Sequence, residues 1–392
     1  MKICSALFSA AMMLWMLPAG GLGFQAQPVY PSGQMQQFPD VDNGLVVWQQ
    51  YVQFGSSWDW DIFARDLLDA AAPVPIEAAW LESDQQHPAV WNRSIVWQHA
   101  YAPDDWDIYL TDVSNPAEPV WYLLNAQPGQ YENNQIAPAV HGNTVVWQHQ
   151  YIDPDTQQAD WDIWAADVTD PEAPYVFYPA SFWKNQQAPA VWRSTVVWQD
   201  DDAGRWDIGI ADIWLKNAPQ DRLYAYPELD QQTPAVWDNW LVFAVDYGGG
   251  DWDIHAADLS KPGQPSFPLT DLPSAQINPD ISGHLVVWQD NRNGNWDIYG
   301  YNLITRQEFA ITDDPADQIH PAVSGTLVVW EDYRVSPSNI YYVWLEGPAA
   351  ADCPEPPEGD LDGDCRISLA DFVRLAENWM LCARVPASAC DL

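Results

Sequence analysis

The sequence predicts an all-β fold: a seven-bladed β-propeller closed by its N-terminal strand, followed by a small C-terminal α-helical calcium-loop module. Two observations predict the propeller. One motif recurs seven times, as a Pro-x-Val segment, an apolar Val-Val-Trp run and an acidic-aromatic Trp-Asp-Ile strand, most clearly within residues 278–299. The copies are spaced 42 to 51 residues apart, and a period of roughly 40–50 residues made of strands and turns is typical of propeller blades.

Each copy contains four short strands. In the third copy these are residues 138–140, 144–148, 161–168 and 176–178. The second strand is almost continuously apolar, so we expect both of its faces to be buried. The third alternates between polar and apolar residues, as expected for a half-buried strand.

The strand count predicts how the ring closes. The seventh copy ends at residues 341–345 and lacks a fourth strand, whereas residues 28–31 form a spare strand ahead of the first copy. We therefore expect the N-terminal strand to complete the last blade, because closure removes exposed sheet edges.

The sequence divides into four parts: residues 1–26, 27–348, 349–358 and 359–392. Residues 1–26 have the charge and the apolar run of a signal peptide, with a cleavage site near Gly23 or Ala26. Residues 27–348 form the propeller, 349–358 a linker rich in proline and acidic residues, and 359–392 the C-terminal module. We expect a secreted or cell-surface protein.

The composition limits the partners. The chain has 15 Lys and Arg against 55 Asp and Glu, a net charge of −40, which argues against nucleic acid and anionic membrane surfaces but permits cations. No long apolar segment follows the signal peptide, so we expect no membrane span. We expect a monomer.

Four cysteines lie in the C-terminal 40 residues, and the propeller has none. An even number in a small exported module indicates two disulfides; the alternative is a zinc site, although no Cys-x-x-Cys pair is present. A helix over residues 369–380 would be roughly 18 Å long, too long for Cys365 to reach Cys382. This favours the pairs Cys365–Cys390 and Cys353–Cys382.

A calcium loop is predicted at residues 360–371. Acidic side chains occupy loop positions 1, 3, 5 and 12, and a serine occupies position 9. Alternate residues of a tight loop point inward and supply the oxygen ligands that Ca²⁺ requires. The predicted ligands are Asp360, Asp362, Asp364, the Arg366 carbonyl, Ser368 and Asp371.

This loop and the predicted helix after it resemble a dockerin type I repeat over residues 359–381. The resemblance implies the same calcium ligands and a cohesin-like partner in a polysaccharide-degrading assembly. The sequence departs from the family in having Cys365 at the usual glycine position, and in having one loop where a dockerin has two.

The blades resemble TolB-type propeller repeats, which are related to WD-repeat blades. The resemblance covers residues 28–345 and rests on the Gln-x-x-Pro-x-Val and Val-Val-Trp strings and on the strand containing Asp253 to Leu259. It implies a propeller fold but no particular activity.

We expect the strictly repeated residues to be structural. Aspartates at two repeat positions, the Asp61 and Asp66 series, are spread around the ring and cannot converge on one substrate. We expect them to bind turn amides, and the Trp48 and Trp60 series to pack between blades.

Function is better sought where the copies differ. The residue after the Pro-x-Val segment varies around the ring, and is Asp42, Trp91, His141, Trp192, Trp237, Ser282 or Ser324. If Trp91, His141, Trp192 and Trp237 share a face, they form an aromatic surface for a carbohydrate or protein ligand; alternatively, they shield the blade ends. We place Tyr51, Tyr101 and Tyr151 near this surface.

An enzyme is the alternative function: a polysaccharide lyase or glycoside hydrolase with its site in the central channel. His99 and His149 share one repeat position, which Asp200, Asp290 and Asp332 occupy in other copies, and a ring of such residues near the central channel could bind a metal. The sequence contains no Ser-His-Asp order and no nucleophile elbow. We therefore favour a secreted binding propeller that takes part in polysaccharide catabolism.

Overall fold

The computed structural model describes residues 24–345, except for 55, 70–75, 80–82, 103–104, 116–118, 125–132, 154, 181–183, 202–203, 214–220, 224–227 and 262. In these residues the only regular elements are β-strands, so none of the described segments is a helix that could span a membrane. Residues 1–23 of the predicted signal peptide, the linker and the C-terminal module lie outside the described residues, as do the calcium loop and all five cysteines.

Twenty-eight strands form seven four-stranded antiparallel sheets. The strands are β1 (Gln27–Pro28), β2 (Gln36–Asp42), β3 (Leu45–Phe54), β4 (Ser57–Asp66), β5 (Ile76–Ala79), β6 (Gln85–Trp91), β7 (Ser94–Ala102), β8 (Asp105–Asp112), β9 (Val120–Leu123), β10 (Gln135–His141), β11 (Thr144–Ile152), β12 (Ala159–Asp167), β13 (Tyr175–Ala180), β14 (Gln186–Trp192), β15 (Thr195–Asp200), β16 (Asp207–Asp212), β17 (Asp221–Leu223), β18 (Gln231–Trp237), β19 (Trp240–Gly248), β20 (Asp251–Asp258), β21 (Phe267–Pro268), β22 (Gln276–Ser282), β23 (Leu285–Asp290), β24 (Asp297–Asn302), β25 (Gln307–Ala310), β26 (Gln318–Ser324), β27 (Leu327–Asp332) and β28 (Asn339–Trp344).

Each of the first six blades uses four consecutive strands, beginning with β2. The first strand of every blade contacts the first strands of its two neighbours, so these seven inner strands surround the central channel. The predicted seven-bladed, all-β architecture is confirmed.

The N-terminal strand closes the ring. β1 pairs with β28, with Gln27 opposite Tyr342 and Pro28 opposite Tyr341. The Val29 amide donates to the Ile340 carbonyl at 2.7 Å, and the Val29 side chain is fully buried. The predicted closure of the last blade is confirmed.

The core lies between the blades. The Val-Val-Trp side chains of the second strands are all fully buried, as predicted: Trp48, Trp97, Trp147, Trp198, Phe243, Trp288 and Trp330. Each packs in a cluster drawn from two neighbouring blades; Val146 of the third blade, for example, packs with Trp198 of the fourth. Burial of large side chains at every joint stabilises the ring as one unit.

A repeated hydrogen bond also joins the blades. Each inner strand contains a bulge whose residue has a left-handed backbone with φ between 48° and 52°, as at His87 and Ala137. For five of these residues the amide donates to a glutamine of the preceding blade, as His87 does to Gln49 at 3.0 Å and Ala137 to Gln98 at 2.9 Å. This bond explains why glutamine follows the buried tryptophan in most copies.

The two ends of the propeller differ in their connections. At the turn end, inner strands join second strands through two-residue turns such as Asn43–Gly44. At the hairpin end, second strands join third strands, as β3 joins β4. Because the strands are antiparallel, the last residue of each inner strand lies at the turn end and the last residue of each second strand at the hairpin end.

Candidate binding site

Seven side chains at a position that varies between the copies surround the channel at the turn end, one from the last position of each inner strand. In blade order they are Asp42, Trp91, His141, Trp192, Trp237, Ser282 and Ser324. Blades 2 to 5 contribute the aromatic members, and blades 6, 7 and 1 contribute the polar members. This position is therefore divided into one aromatic arc and one polar arc.

The four aromatic rings are in mutual contact. The ring centroids of Trp91 and His141 are 3.8 Å apart, those of His141 and Trp192 4.1 Å, and those of Trp192 and Trp237 3.7 Å. Trp91 also meets Trp192 edge-on at 5.6 Å. Because Trp91 and Trp192 belong to blades 2 and 4, this last contact reaches across blade 3. We call these four residues the aromatic cluster.

The aromatic cluster is partly structural and partly exposed. Trp91, Trp192 and Trp237 are half-buried and pack against the interblade cores, whereas His141 is only 8% exposed. Since the rings stack on one another, the cluster presents a compact apolar surface and not a row of separate flat platforms.

His141 is held neutral at the centre of the cluster. Its Nδ1 accepts a hydrogen bond from the Arg193 amide at 3.0 Å, which places the ring proton on Nε2. Burial, with the nearby Arg193 charge, lowers the pKa of His141 to about 4. Within the described residues, Nε2 is buried and has no hydrogen-bond partner, so an unsatisfied neutral donor lies beside the Trp91 and Trp192 rings.

The polar members perform the same structural task as His141 Nδ1. Asp42 accepts from the Asn92 amide at 2.6 Å, Ser282 from Gly325 at 2.9 Å, and Ser324 from Asn43 at 3.0 Å. Each bond reaches the turn of the next blade. A tryptophan side chain has no acceptor for such a bond, so the three tryptophans do not cap the neighbouring turn in this way.

Deeper in the channel, the structure reveals an acid pair that was not predicted. Asp40 and Asp280 occupy the same inner-strand position, where the other blades have alanine. Burial raises the pKa of Asp40 to about 7 and that of Asp280 to about 6, and the charge of Asp280 adds to the shift at Asp40. Each also accepts a hydrogen bond from a backbone amide of the next blade: Asp40 from Val90 and Asp280 from Val323, both at 2.7 Å.

A second unpredicted group lies two residues before this acid position. The Phe38 ring contacts His87 at 4.3 Å and His320 at 4.7 Å, so side chains of blades 7, 1 and 2 converge. The Nδ1 of His320 lies 3.2 Å from the buried Glu331. The two departures from alanine at the acid position, and the aromatic residues at the Phe38 position, are the sequence signals that could have revealed these groups.

Several of the repeated aspartates, mainly in the Asp66 series, bind turn amides as expected. Asp66 accepts from the Leu68 amide at 2.9 Å and Asp112 from the Ser114 amide at 2.7 Å. Asp253 accepts from Thr270 Oγ1 at 2.9 Å and the Leu272 amide at 3.3 Å. The Trp60 series is half-buried and less enclosed than the Trp48 series.

The suggested metal ring does not assemble. His99 and Asp200 lie in the second strands of separate blades, where His99 contacts Gln85 and Asp200 accepts from Trp198 Nε1 at 3.2 Å. His149 stacks on Trp164 of its own blade, at 3.7 Å between centroids. No three His, Cys, Asp or Glu side chains in the described part of the chain are grouped to hold a metal ion.

The placement of three tyrosines near the aromatic cluster was wrong. Tyr51, Tyr101 and Tyr151 lie in the last parts of second strands, and therefore at the hairpin end. The second strand runs antiparallel to the inner strand, which carries these residues away from the aromatic cluster although they are close to it in sequence.

Comparison with known proteins identifies the fold. No family model matches the chain, and no curated protein matches it. A puromycin-hydrolysing peptidase from Mycobacterium tuberculosis matches with a TM-score of 0.57 and 14% identity, over 76% of this chain and 50% of the peptidase. The β-propeller domain of the Trilobed protease from Pyrococcus furiosus matches with a TM-score of 0.59 and 10% identity, over 83% of this chain and 100% of that chain.

TolB from Acinetobacter baumannii is also a structural neighbour, with a TM-score of 0.45 and 13% identity over 67% of this chain and 62% of TolB. This chain spans about half the length of the peptidases that it matches. At these identities the similarity is one of fold: a propeller of the kind found in peptidase propeller domains.

Proposed function

We propose that the protein is a secreted or cell-surface binding propeller that uses the aromatic cluster to bind a carbohydrate. The observation that supports this most strongly is the mutual contact of Trp91, His141, Trp192 and Trp237 at a position where the copies differ. Sugar rings stack their apolar faces on indole rings, while nearby donors bind their hydroxyl groups.

The net charge of the chain limits the class of ligand. A net charge of −40 repels anionic polysaccharides at low ionic strength. We therefore propose that the ligand is a neutral glycan and that the protein binds it as part of polysaccharide catabolism.

The C-terminal module belongs to the same proposal. Its Asp360-to-Asp371 pattern supports a dockerin-like calcium loop, and Cys353, Cys365, Cys382 and Cys390 support two disulfides that brace it. Such a module would attach the propeller to a cohesin-like partner or to a surface assembly. Calcium would be structural there, because ordering a loop around a bound ion couples binding to folding.

A screen of neutral glycans with the full chain tests the carbohydrate proposal. Trp192 contacts the three other members of the cluster, so Trp192→Ala should weaken binding at least tenfold, as expected for the loss of ~1.4 kcal/mol or more. Trp121→Ala is the matched control, because Trp121 lies on the outer strand β9 and is also partly exposed. Equal affinity of Trp192→Ala and the wild type would contradict the proposal, as would the absence of any glycan ligand.

The acid pair supports a second candidate, a glycoside hydrolase acting in the channel. Glycoside hydrolysis uses a pair of carboxyl groups, one of which has a raised pKa and acts as the general acid while the other is ionised. Both Asp40 and Asp280, however, already accept amides of the next blade, which gives them a structural role. New reducing ends produced by the wild type and lost in Asp280→Asn would favour the hydrolase over the binding protein.

A further inference from the structure

The hairpin end carries a second feature that distinguishes the copies: hairpins of unequal length. The second strands β3, β7, β11 and β19 contain 10, 9, 9 and 9 residues. Their counterparts β15, β23 and β27 contain six each. Three or four extra residues extend a strand by ~10 Å, so the hairpins of blades 1, 2, 3 and 5 project beyond the other three.

Each long hairpin carries an exposed aromatic residue. These residues, which we call the hairpin aromatics, are Trp58 (44% exposed), Tyr101 (55%), Tyr151 (42%) and Tyr247 (41%). Blades 1 to 3 are consecutive, so three of the four lie along one arc of the ring. None belongs to an interblade core cluster, so packing of the ring does not require them.

Several of these rings are held in position by their own blade. Trp58 stacks on Tyr51 at 5.4 Å between centroids. Tyr101 meets His99 edge-on at 4.8 Å, and the Tyr247 hydroxyl lies 3.1 Å from His255 Nε2. Binding a ligand to such rings costs less side-chain entropy than binding it to rings that are free to change rotamer.

The long hairpins are also uniformly acidic. The four long hairpins, residues 51–61, 101–107, 151–162 and 246–253, contain twelve aspartates and no lysine or arginine.

Each short hairpin, in contrast, carries an arginine that pairs with an aspartate of its own blade. These pairs are Arg205 with Asp207 at 3.4 Å, Arg292 with Asp290 at 2.5 Å, and Arg334 with Asp332 at 2.7 Å. The arginine of each short hairpin is thus neutralised by its own blade, whereas the long hairpins have no basic residue to offset their carboxylates.

We infer that the four long hairpins form a docking surface for a cationic polypeptide segment of a partner protein, rich in arginine or lysine. Aromatic faces attract guanidinium and ammonium groups, and tyrosine and tryptophan are enriched in protein interfaces. The surrounding carboxylates add electrostatic complementarity and steering. A second copy of this chain does not fit, because its own hairpin end carries the same negative charge.

A labelled oligo-arginine peptide tests this inference by fluorescence anisotropy with the full chain at low and high salt. The double variant Tyr101→Ala/Tyr151→Ala keeps the net charge, so diffuse attraction to the acidic chain is unchanged. We expect affinity to fall roughly 5- to 30-fold, the loss for two exposed cation–π contacts. The matched control Tyr175→Ala/Tyr178→Ala removes two exposed tyrosines from the outer strand β13 and should bind as the wild type does.

The conservative variant Tyr101→Phe/Tyr151→Phe separates ring contacts from misfolding, since it should retain most of the affinity. Equal binding by the alanine variant, the control and the wild type would overturn the inference and leave only non-specific charge attraction. A neutral glycan that loses binding in the Tyr101→Ala/Tyr151→Ala variant, while the arginine peptide does not, would also overturn it. Neither result depends on Trp192, so the carbohydrate proposal is tested separately.

Discussion

Replacing His99 by glutamine should stabilise the propeller, and should do so more in acid than at neutral pH. The fold already uses glutamine at this position in blade 1: Gln50 Oε1 accepts from Gln36 Nε2 at 2.8 Å and from Trp48 Nε1 at 3.4 Å. In blade 2, His99 contacts Gln85 at 3.3 Å, and the buried Trp97 Nε1 has no hydrogen-bond partner among the described residues. A glutamine at position 99 would accept hydrogen bonds from both Gln85 Nε2 and Trp97 Nε1.

The expected magnitude has two parts. Giving the buried Trp97 indole an acceptor should contribute about 1 kcal/mol at any pH. The second part comes from burial, which lowers the pKa of His99 from 6.5 to about 4. Below pH 6.5 the unfolded chain takes up a proton that the folded chain does not, so the wild type loses stability as the pH falls. Between pH 7 and pH 5 this loss amounts to about 2 kcal/mol.

Urea unfolding at pH 7 and pH 5 measures both parts. The free energy of unfolding of His99→Gln should exceed that of the wild type by about 1 kcal/mol at pH 7 and by about 3 kcal/mol at pH 5. The other buried histidines are present in both proteins and cancel in the difference. Because glutamine loses the ring contacts with Tyr101 and Tyr109, the change with pH is the decisive quantity.

The reverse variant, Gln50→His, is the matched control. It should lose the bond to Trp48 and become more sensitive to acid than the wild type. A stability difference between His99→Gln and the wild type that is the same at both pH values would refute the reasoning, since His99 would then not be held neutral by burial.

Three further predictions concern closure, the acid pair and calcium. Deleting residues 27–33 should lower the melting temperature sharply, because it removes β1 and the buried Val29; an unchanged temperature would contradict closure by this strand. The pKa of Asp40 is raised to about 7, so the wild type loses stability as the pH rises and this carboxyl ionises. Asp40→Asn should reduce the loss of unfolding free energy between pH 5 and pH 8 by up to about 2.5 kcal/mol. Parallel pH profiles of variant and wild type in calorimetry would argue against this role of Asp40. Calcium added to the chelator-treated full chain should release heat that Asp360→Ala abolishes, and no heat from the wild type would remove the calcium proposal.

Much of the fold could be predicted from the sequence because the repeat indicates both the strands within each blade and the number of blades. The Val-Val-Trp runs mark buried second strands, and the missing fourth strand of the last copy predicts its replacement by residues 28–31. That Trp91, Trp192 and Trp237 lie at the same end follows from their equivalent positions in the ring, but the sequence left open whether they bind a ligand or shield the blade ends. Their use in ligand binding remains a prediction.

Other features depend on properties that periodicity does not contain. Tyr101 follows Trp91 by ten residues, yet the reversal of the chain between the two places them at opposite ends. The acid pair was missed because two aspartates far apart in sequence, Asp40 and Asp280, become electrostatically coupled only across the assembled channel. Burial, and therefore each pKa shift, is likewise a property of the folded ring.

Closure by β1 has a consequence for how the molecule is presented. Strand β28 runs towards the turn end, where Trp344 pairs with Leu327, so the chain after Leu345 departs from the end that carries the aromatic cluster. An attachment made through the following residues would thus start on that side, with the long hairpins directed the opposite way. A tethered molecule would hold its aromatic cluster towards the anchor and expose its acidic, tyrosine-bearing hairpins to whatever approaches from solution.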